Sequence, residues 1–227
     1  MDRDSANEPQ NGNAALAGLR GDLRLVAGMI ESGSRVLDIG CGEGELLAYL
    51  AQWKSVDARG MELSQNGVNA CVRHGLSVIQ GDADHDLKDY PSDSFDYVVL
   101  SQTLQATYRP RQVLEDMIRI GRRAIVSFPN FAHWRMRFSL LFDGRMPITP
   151  FLGQTWYDTP NIHFCTVLDF GELCDAMGVV MERSLTLDRH GRPFRLNPRT
   201  ALANLLAEQA LFVLKRAAHH SSSPPPP

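Results

Sequence analysis

Apolar residues occur along the chain in two alternating patterns. Short continuous apolar runs are typical of strands buried in a parallel sheet. Such runs cover residues 36–39, 76–80, 95–100 and 124–128. Between them, apolar residues recur every third or fourth position, which is the spacing of one face of a helix. The alternation predicts a doubly wound, mostly parallel α/β sheet with helices on both faces.

The same patterns predict the elements at the two ends of the fold. Apolar residues at helical spacing predict a helix over residues 19–30, before the first strand. A later helix should begin at Thr166, whose spacing to Asp169 is that of a capping box. With the apolar segment that ends at Met61-Glu62, two final strands over residues 179–187 and 210–215, separated by a polar turn, bring the predicted sheet to seven strands.

Composition predicts one domain with disordered ends. With 227 residues, of which 44% are hydrophobic, the chain is long enough to bury one full core. Residues 1–13 lack an apolar pattern, and residues 217–227 are rich in serine and proline, so both ends are predicted to be disordered. The predicted domain therefore spans residues 14–216.

Charge, hydropathy and cysteine use argue against several classes of protein. The 23 basic and 26 acidic residues give a net charge of −3, which is not typical of a protein that binds nucleic acid. No apolar run has the length of a membrane span, and the first residues are too polar for a signal peptide. The four cysteines form no C-x-x-C pair, which suits a reducing compartment. We therefore expect a cytoplasmic protein without a nucleic-acid or membrane partner.

The glycine-rich turn after the first strand is the most informative motif. It reads G-C-G-E-G over residues 40–44 and follows the strand that carries Asp38. Strand, glycine turn and helix open a nucleotide-binding α/β unit, because the backbone must turn sharply and approach the ligand closely. The spacing is tighter than the G-x-G-x-x-G of dinucleotide-binding proteins, and the carboxylates of Asp38 and Glu43 would repel a pyrophosphate.

These acidic residues instead favour a cationic adenosyl ligand. Glu62 ends the second apolar segment about 20 residues after the turn, where a carboxylate can hold ribose hydroxyls. The ammonium and sulfonium charges of S-adenosylmethionine suit the carboxylates at the turn, so we predict binding of this cofactor or of S-adenosylhomocysteine. The alternative is an α/β domain with a glycine turn and no cofactor. The predicted cofactor-binding residues are Asp38, Gly40, Cys41, Gly42, Gly44, Glu62, Leu63, Asp82, Ala83 and Ser101.

Three charged residues near the predicted pocket each have two interpretations. Arg20 and Asp22 begin the helix before the first strand, where they either reach the cofactor or lie in a solvated first turn. Asp82 follows the third strand, where it either accepts a hydrogen bond from the adenine amino group or forms a turn.

The segment from Asn130 to Cys165, called the cap segment below, interrupts the alternation. It is rich in aromatic residues, arginine and proline, and a helix is predicted within it over Trp134–Phe142. Loops of this length in a compact domain are usually functional. Because the segment follows the fifth strand, it is predicted to fold over the carboxyl edge of the sheet, where the cofactor would lie.

The sequence contains little that indicates a methyl acceptor. Methyl transfer needs a nucleophile about 3 Å from the methyl carbon, and oxygen or nitrogen acceptors often need a base. The loop after the fourth strand reads SQTLQ and offers neither a base nor an Asn/Asp-Pro-Pro-aromatic motif. His133, His163 and Tyr157 are the remaining catalytic candidates, with a structural role as the alternative for each histidine. No metal is predicted, because His163, Cys165 and Asp158 match no known site spacing.

Several motifs together resemble one family. The glycine motif G-S-R-V-L-D-I-G-C-G-E-G resembles that of class I S-adenosylmethionine-dependent methyltransferases. With V-I-Q-G-D, S-F-D-Y-V-V-L-S-Q-T-L-Q, V-S-F-P-N-F, H-W-R, G-R-M-P and W-Y-D-T-P-N-I-H, the stretch from Arg20 to Phe170 is similar to the methionine biosynthesis protein MetW family. The last motif is long and unusual in composition, so it is the most specific.

The resemblance implies a function as well as a fold. Proteins similar to MetW have the methyltransferase fold but are associated with homoserine O-acyltransferase, the MetX-type enzyme of methionine synthesis. For this chain, the resemblance implies an S-adenosylmethionine-binding partner or activator of that enzyme. This chain is expected to dock on the enzyme through its segment Asn130–His163. The alternative is an S-adenosylmethionine-dependent methyltransferase that acts on an unknown small molecule.

Overall fold

The computed structural model describes residues 8–148 and 155–217. Within them the strands are β1 (Arg35–Ile39), β2 (Asp57–Glu62), β3 (Ser77–Gln80), β4 (Phe95–Ser101), β5 (Gly121–Pro129), β6 (Val180–Leu187), β7 (Pro193–Phe194) and β8 (Gln209–Lys215). The helices are α1 (Glu8–Gly18), α2 (Gly21–Met29), α3 (Glu45–Lys54), α4 (Gln65–Arg73), α5 (Pro110–Ile120), α6 (Trp134–Phe138), α7 (Val167–Ala176) and α8 (Ala201–Leu206). The predicted tail from residue 218 onwards and residues 149–154 of the cap segment lie outside the described residues.

All the strands belong to one sheet, in the order β3-β2-β1-β4-β5-β8-β6-β7. The pairs among β1 to β5 are parallel, whereas β8 is antiparallel to β5 and to β6. The predicted doubly wound, mostly parallel α/β fold is therefore confirmed. The strand order reverses between β1 and β4, and ligands of open α/β sheets bind at the carboxyl ends of the strands at such a point.

Each face of the sheet is covered by its own apolar core. Successive residues of a strand point to opposite faces, so Val36 packs into one core and Leu37 into the other. The first core lies under α2 and α3, while the second lies under α5 and α7. These buried runs explain why continuous apolar stretches were sufficient to locate β1, β4 and β5.

Three elements differ from the sequence-based expectation. The sequence predicts disorder over residues 1–13; residues 1–7 lie outside the described residues, but α1 begins at Glu8. Within α1, Gly12 lies against the ring of Trp53, and Leu16 packs on the core under α2. The strand β7 pairs with the end of β6 inside the predicted polar turn, which makes eight strands instead of seven. The short helix α8 was not predicted; its first turn is capped by the Thr200 hydroxyl.

The cap segment leaves β5 and returns to α7. The helix predicted over Trp134–Phe142 is present, as α6 followed by a π-helical turn over Ser139–Asp143. Trp134, Phe138 and Phe142 are exposed by 39, 52 and 70%, and successive rings are 5.8 and 5.3 Å apart. We call this row of three rings the aromatic ridge. Throughout residues 8–148 and 155–217, no helix combines the length and hydropathy required to span a bilayer.

Candidate functional site

The glycine turn after β1 requires glycine for two reasons. Gly40, Gly42 and Gly44 have φ values of +69°, +58° and +85°, in the left-handed region that other residues rarely adopt. A β-carbon on Gly40 would also lie 2.6 Å from the hydroxyl oxygen of Thr103. The turn therefore brings the backbone directly against the loop that follows β4.

Glu62 is fixed against this turn by two backbone groups. Its Oε2 accepts a hydrogen bond from the Gly42 N–H at 2.8 Å, and its Oε1 accepts one from the Ser64 N–H at 2.8 Å. A β-carbon on Gly67 would lie 2.8 Å from Cγ of Glu62, so the carboxylate has room only because Gly67 has no side chain. The arrangement holds a carboxylate at the carboxyl end of β2 and leaves lone pairs free for further donors.

Asp38 is a buried carboxyl group at the bottom of a cavity of about 230 Å³. Its pKa is raised to about 7, chiefly by burial and also by the nearby carboxylates of Glu62 and Asp22, against the opposing charge of Arg20. The cavity walls include Arg20, the glycine turn and Ser101. A positively charged group in this cavity would stabilise the ionised form of Asp38.

A network at the start of α2 forms one wall of this cavity. Arg20 Nε donates to Asp22 at 2.7 Å, and its Nη2 donates to the Ser101 hydroxyl at 2.7 Å. Asp22 also accepts hydrogen bonds from the hydroxyls of Ser101 and Ser127, at 2.7 and 2.8 Å. Burial would raise the pKa of Asp22, but these donors and the Arg20 charge hold it below its ordinary value. Arg20 therefore lines the cavity, and Asp22, which is buried, does not lie in a solvated turn but holds Arg20 in place. The partner Ser127 was not predicted.

The start of α2 rests on the tip of the β6–β7 hairpin. Gly21 and Gly191 are in backbone contact, and a β-carbon on either would overlap the other segment. Arg24 on the next turn donates to the carbonyl oxygen of His190. The hairpin thus fixes the position of Arg20, although it is remote from it in the sequence.

A second cavity, of about 110 Å³, lies on the other side of Gly40. The predicted residues Leu63, Asp82 and Ala83 line it together with Tyr108. Asp82 accepts a hydrogen bond from the Asp84 N–H at 2.9 Å, and its other oxygen lies 2.9 Å from Nδ1 of His85. These bonds are those of a turn-forming aspartate, although Asp82 also contributes to the cavity wall.

Asp84 joins this turn to the loop after β4. Its carboxylate accepts hydrogen bonds from the backbone N–H groups of Tyr108 and Arg109, at 2.8 and 2.7 Å. Asp84 was not predicted as a site residue, because its partners are more than twenty positions away and leave no local pattern.

The candidate catalytic residues do not line either cavity. His133 is buried at the start of α6, where burial and the neighbouring Arg135 lower its pKa to about 4. Nε2 of His163 is 3.3 Å from the carbonyl oxygen of Tyr108, and Tyr157 is exposed. None of the three lines a cavity beside Gly40. In the part of the chain that the structure describes, no three His, Cys, Asp or Glu side chains are grouped as metal ligands.

The fold and this pocket define the class of the protein. A solved S-adenosylmethionine-dependent methyltransferase from Mesorhizobium loti matches 88% of this chain and all of its own, with a TM-score of 0.63 and 17% identity. One from Archaeoglobus fulgidus matches 90% of this chain and 94% of its own, with a TM-score of 0.62 and 17% identity. The chain therefore has the fold of class I S-adenosylmethionine-dependent methyltransferases.

Sequence comparison gives the family. The profile of the family described as methionine biosynthesis protein MetW matches residues 20–214, so the chain belongs to this family. A bifunctional methionine biosynthesis protein MetXA/MetW from Rhodopirellula baltica is 36% identical over 178 residues, which are 74% of this chain and 28% of that protein. Two other curated relatives are matched over 34 and 56% of their length. The matched stretches thus span between 28 and 56% of the length of these relatives.

Proposed function

We propose that the two cavities beside Gly40 together bind S-adenosylmethionine or S-adenosylhomocysteine. The observation that carries this proposal is the buried carboxyl group of Asp38, which has the cationic Arg20 on one wall of its cavity. Asp38 would hold the positively charged amino-acid end of the ligand, and Arg20 its carboxylate. Glu62 would accept the ribose hydroxyls, while Leu63 and Ala83 would line the adenine side. The cofactor supplies an electrophilic methyl group, and the glycine turn lets the backbone come close to it.

We further propose that the chain acts as a partner of a MetX-type homoserine O-acyltransferase in the cytoplasm. The support is the Rhodopirellula baltica relative, whose name combines MetXA and MetW in one polypeptide. Two activities that one organism joins in a single polypeptide are often carried in other organisms by separate chains that associate. The four free cysteines of this chain suit a reducing compartment.

The aromatic ridge is the proposed docking surface for that enzyme. Exposed aromatic rings in a row are rare on a protein surface and typical of interface centres. The guanidinium of Arg135 lies 5.2 Å from the ring of Trp134, so a cationic group borders the apolar surface. Tryptophan and arginine are the residues most enriched at binding hot spots.

The test is a mixing experiment with two matched variants. Phe138→Asp introduces a charge into the ridge at a side chain that is 52% exposed; Val72→Asp introduces one on α4 at a side chain that is 58% exposed. The purified acyltransferase should bind the wild-type chain and change its activity, and Phe138→Asp should weaken binding by about 2 kcal/mol or more. Val72→Asp should bind like the wild type. An acyltransferase that neither binds the wild-type chain nor changes in activity would refute the partnership.

The second candidate function is methyl transfer to a small molecule. The intact glycine turn and the carboxylates around it favour it, whereas the absence of His133 and His163 from the lining of either cavity argues against a side-chain base. The test is incorporation of labelled methyl groups from S-adenosylmethionine into a metabolite of a cell extract, with loss on the His→Ala change. An extract without a labelled product, with cofactor demonstrably bound, would refute this function.

A further inference from the structure

We infer that the loop after β4, residues 102–108, couples the cofactor pocket to the cap segment. Ligand in the pocket and protein on the aromatic ridge would then affect each other's affinity through this loop. The inference rests on the proposed function for its two ligands, but its first test requires only the cofactor. It identifies the path of regulation, which neither the fold nor the family specifies.

The loop and the cap segment are joined by a pair of backbone hydrogen bonds. The carbonyl oxygen of Gln105 accepts the N–H groups of Ile162 and His163, at 2.8 and 3.0 Å. Both donors belong to the W-Y-D-T-P-N-I-H motif. A shift of Gln105 must therefore stretch these bonds or move the end of the cap segment with it.

The Gln105 side chain strengthens the same junction. It is 2% exposed, and its Nε2 donates to the carbonyl oxygen of Pro129 at 3.0 Å and to Sγ of Cys165 at 3.3 Å. Among the described residues, Oε1 of Gln105 is the one buried side-chain oxygen or nitrogen without a hydrogen-bond partner. An unpaired buried acceptor costs about 1–3 kcal/mol. The amide thus gains two hydrogen bonds across the junction and leaves one buried acceptor unpaired.

The other end of the loop forms part of the cofactor pocket. Thr103 touches Gly40, and Ala106, Thr107 and Tyr108 line the cavity that contains Leu63. A ligand that fills this cavity therefore restrains residues that are one to three positions from Gln105.

The cap segment carries the connection onward to the aromatic ridge. The ring of Phe164 stacks on that of Phe131 at 4.7 Å, and the Phe131 N–H donates to the carbonyl oxygen of Cys165 at 3.1 Å. Phe131 is three residues before Trp134, the first ring of the ridge. The connection from Gly40 to Phe131 thus runs through direct contacts and short stretches of backbone, and the last step, from Phe131 to Trp134, follows the backbone over three residues.

Coupling of this kind is reciprocal and of predictable size. If the cofactor changes the affinity for the acyltransferase by some factor, the acyltransferase changes the affinity for the cofactor by the same factor. Typical couplings correspond to changes of about 5- to 150-fold. We expect the cofactor to order the loop, and therefore to protect the two N–H groups that the Gln105 carbonyl accepts.

The first test is amide hydrogen exchange of the chain alone, with and without S-adenosylmethionine. In the wild type, the cofactor should slow exchange at Ile162 and His163 by about 3-fold or more, together with residues 40–44 and 103–108. Gln105→Leu should lose the protection at Ile162 and His163 but bind the cofactor within about 3-fold of the wild type. The control Gln52→Leu, at an exposed position of α3, should behave like the wild type.

The wild-type result decides the inference even if Gln105→Leu does not fold. Protection at residues 40–44 and 103–108 without any change at Ile162 and His163 would refute the link and leave cofactor binding intact. No binding of S-adenosylmethionine at all would refute both the link and the proposed pocket.

The second test measures cofactor affinity with the acyltransferase present at saturation. In the wild type, the affinity should differ from that of the free chain by about 5-fold or more. In Gln105→Leu, the difference should be below about 2-fold while the complex still forms. A wild-type complex with unchanged cofactor affinity would refute the link but not the partnership. If the two proteins form no complex, the partnership is refuted, and the exchange experiment alone decides the link.

Discussion

Asp38 should make binding of S-adenosylmethionine depend on pH. Its pKa is raised to about 7, first by burial and then by the nearby carboxylates. A carboxyl group with this pKa is about one-tenth ionised at pH 6 and about nine-tenths ionised at pH 8. If the cationic ligand requires the ionised form, its affinity should rise about 10-fold between these values, which corresponds to about 1.4 kcal/mol.

The replacement Asp38→Asn separates this effect from other titrating groups. Asparagine resembles the protonated form of Asp38 in shape, so the variant should bind S-adenosylmethionine at pH 8 at least about 10-fold more weakly than the wild type. Its affinity should also be nearly constant between pH 6 and pH 8. Isothermal titration calorimetry at three pH values measures both, and buffers of different ionisation enthalpy report the proton released on binding.

The same group should have the opposite effect on stability. A carboxyl group whose pKa is raised in the folded protein stabilises the fold most at low pH, and this contribution is lost as the pH rises from about 4 to 7. The loss approaches about 4 kcal/mol above pH 7, at 1.36 kcal/mol per pKa unit. Asp38→Asn should therefore raise the free energy of unfolding of the ligand-free chain at pH 8 and change it little at pH 4.

Two results would contradict this account of Asp38. One is an affinity for S-adenosylmethionine that stays constant between pH 6 and pH 8 in the wild type. The other is an Asp38→Asn variant that binds at pH 8 as tightly as the wild type. Either would mean that the buried carboxylate does not face the cationic part of the ligand.

Three further substitutions test the geometry of the pocket, each by calorimetry with S-adenosylmethionine and by thermal unfolding. Gly42→Val should abolish binding while the fold persists. The φ of Gly42 is +58°, no protein atom lies within 4 Å of a β-carbon placed there, and a valine side chain would occupy the space left for the ligand. Unchanged affinity would mean that the ligand does not approach the turn. Glu62→Ala should weaken binding by about 1–3 kcal/mol through unpaired donors, and an unaltered affinity would exclude it from the site. Gly191→Ala should displace the start of α2 and weaken binding about 10-fold or more. Its control is Gly178→Ala, which has a similar φ of +65° but open space around it and should cost only about 1–2 kcal/mol of stability; equal losses of affinity in both would refute the positioning role of the hairpin.

The parts of the fold that depend on local patterns were predictable from the sequence. Continuous apolar runs located β1, β4 and β5, because both faces of these strands are buried. The run over β3 was located in the same way although this edge strand is largely exposed. The capping box was confirmed in both directions: the Thr166 hydroxyl accepts the Asp169 N–H at 3.2 Å, and the Asp169 carboxylate accepts the Thr166 N–H at 2.9 Å. Ser64 stands at the corresponding position before α4, but its side chain makes no capping bond, and its N–H donates to Glu62.

The contacts that join distant segments were not predictable, because no local spacing encodes them. Asn130 is 1% exposed and donates from Nδ2 to the carbonyl oxygens of Asn204 and Ala207, more than seventy residues away. The bonds of Gln105 to Cys165 and of Asp22 to Ser127 are of the same kind. An amide or hydroxyl residue in a sequence has too many possible partners for its burial to be inferred. The glycine turn was therefore recognisable from the sequence, whereas the residues that hold the walls of the cavity beside it were not.

The position of β8 has a consequence for how the protein is made. β8 lies between β5 and β6, and within the described residues it is the strand that connects β6 and β7 to the rest of the sheet. A ribosome delivers it after all its neighbours, so the growing chain holds two unpaired strand edges until residues 209–215 emerge. A premature stop before Gln209 would leave both edges open permanently, and such a fragment should be captured by chaperones or aggregate instead of forming a smaller functional unit.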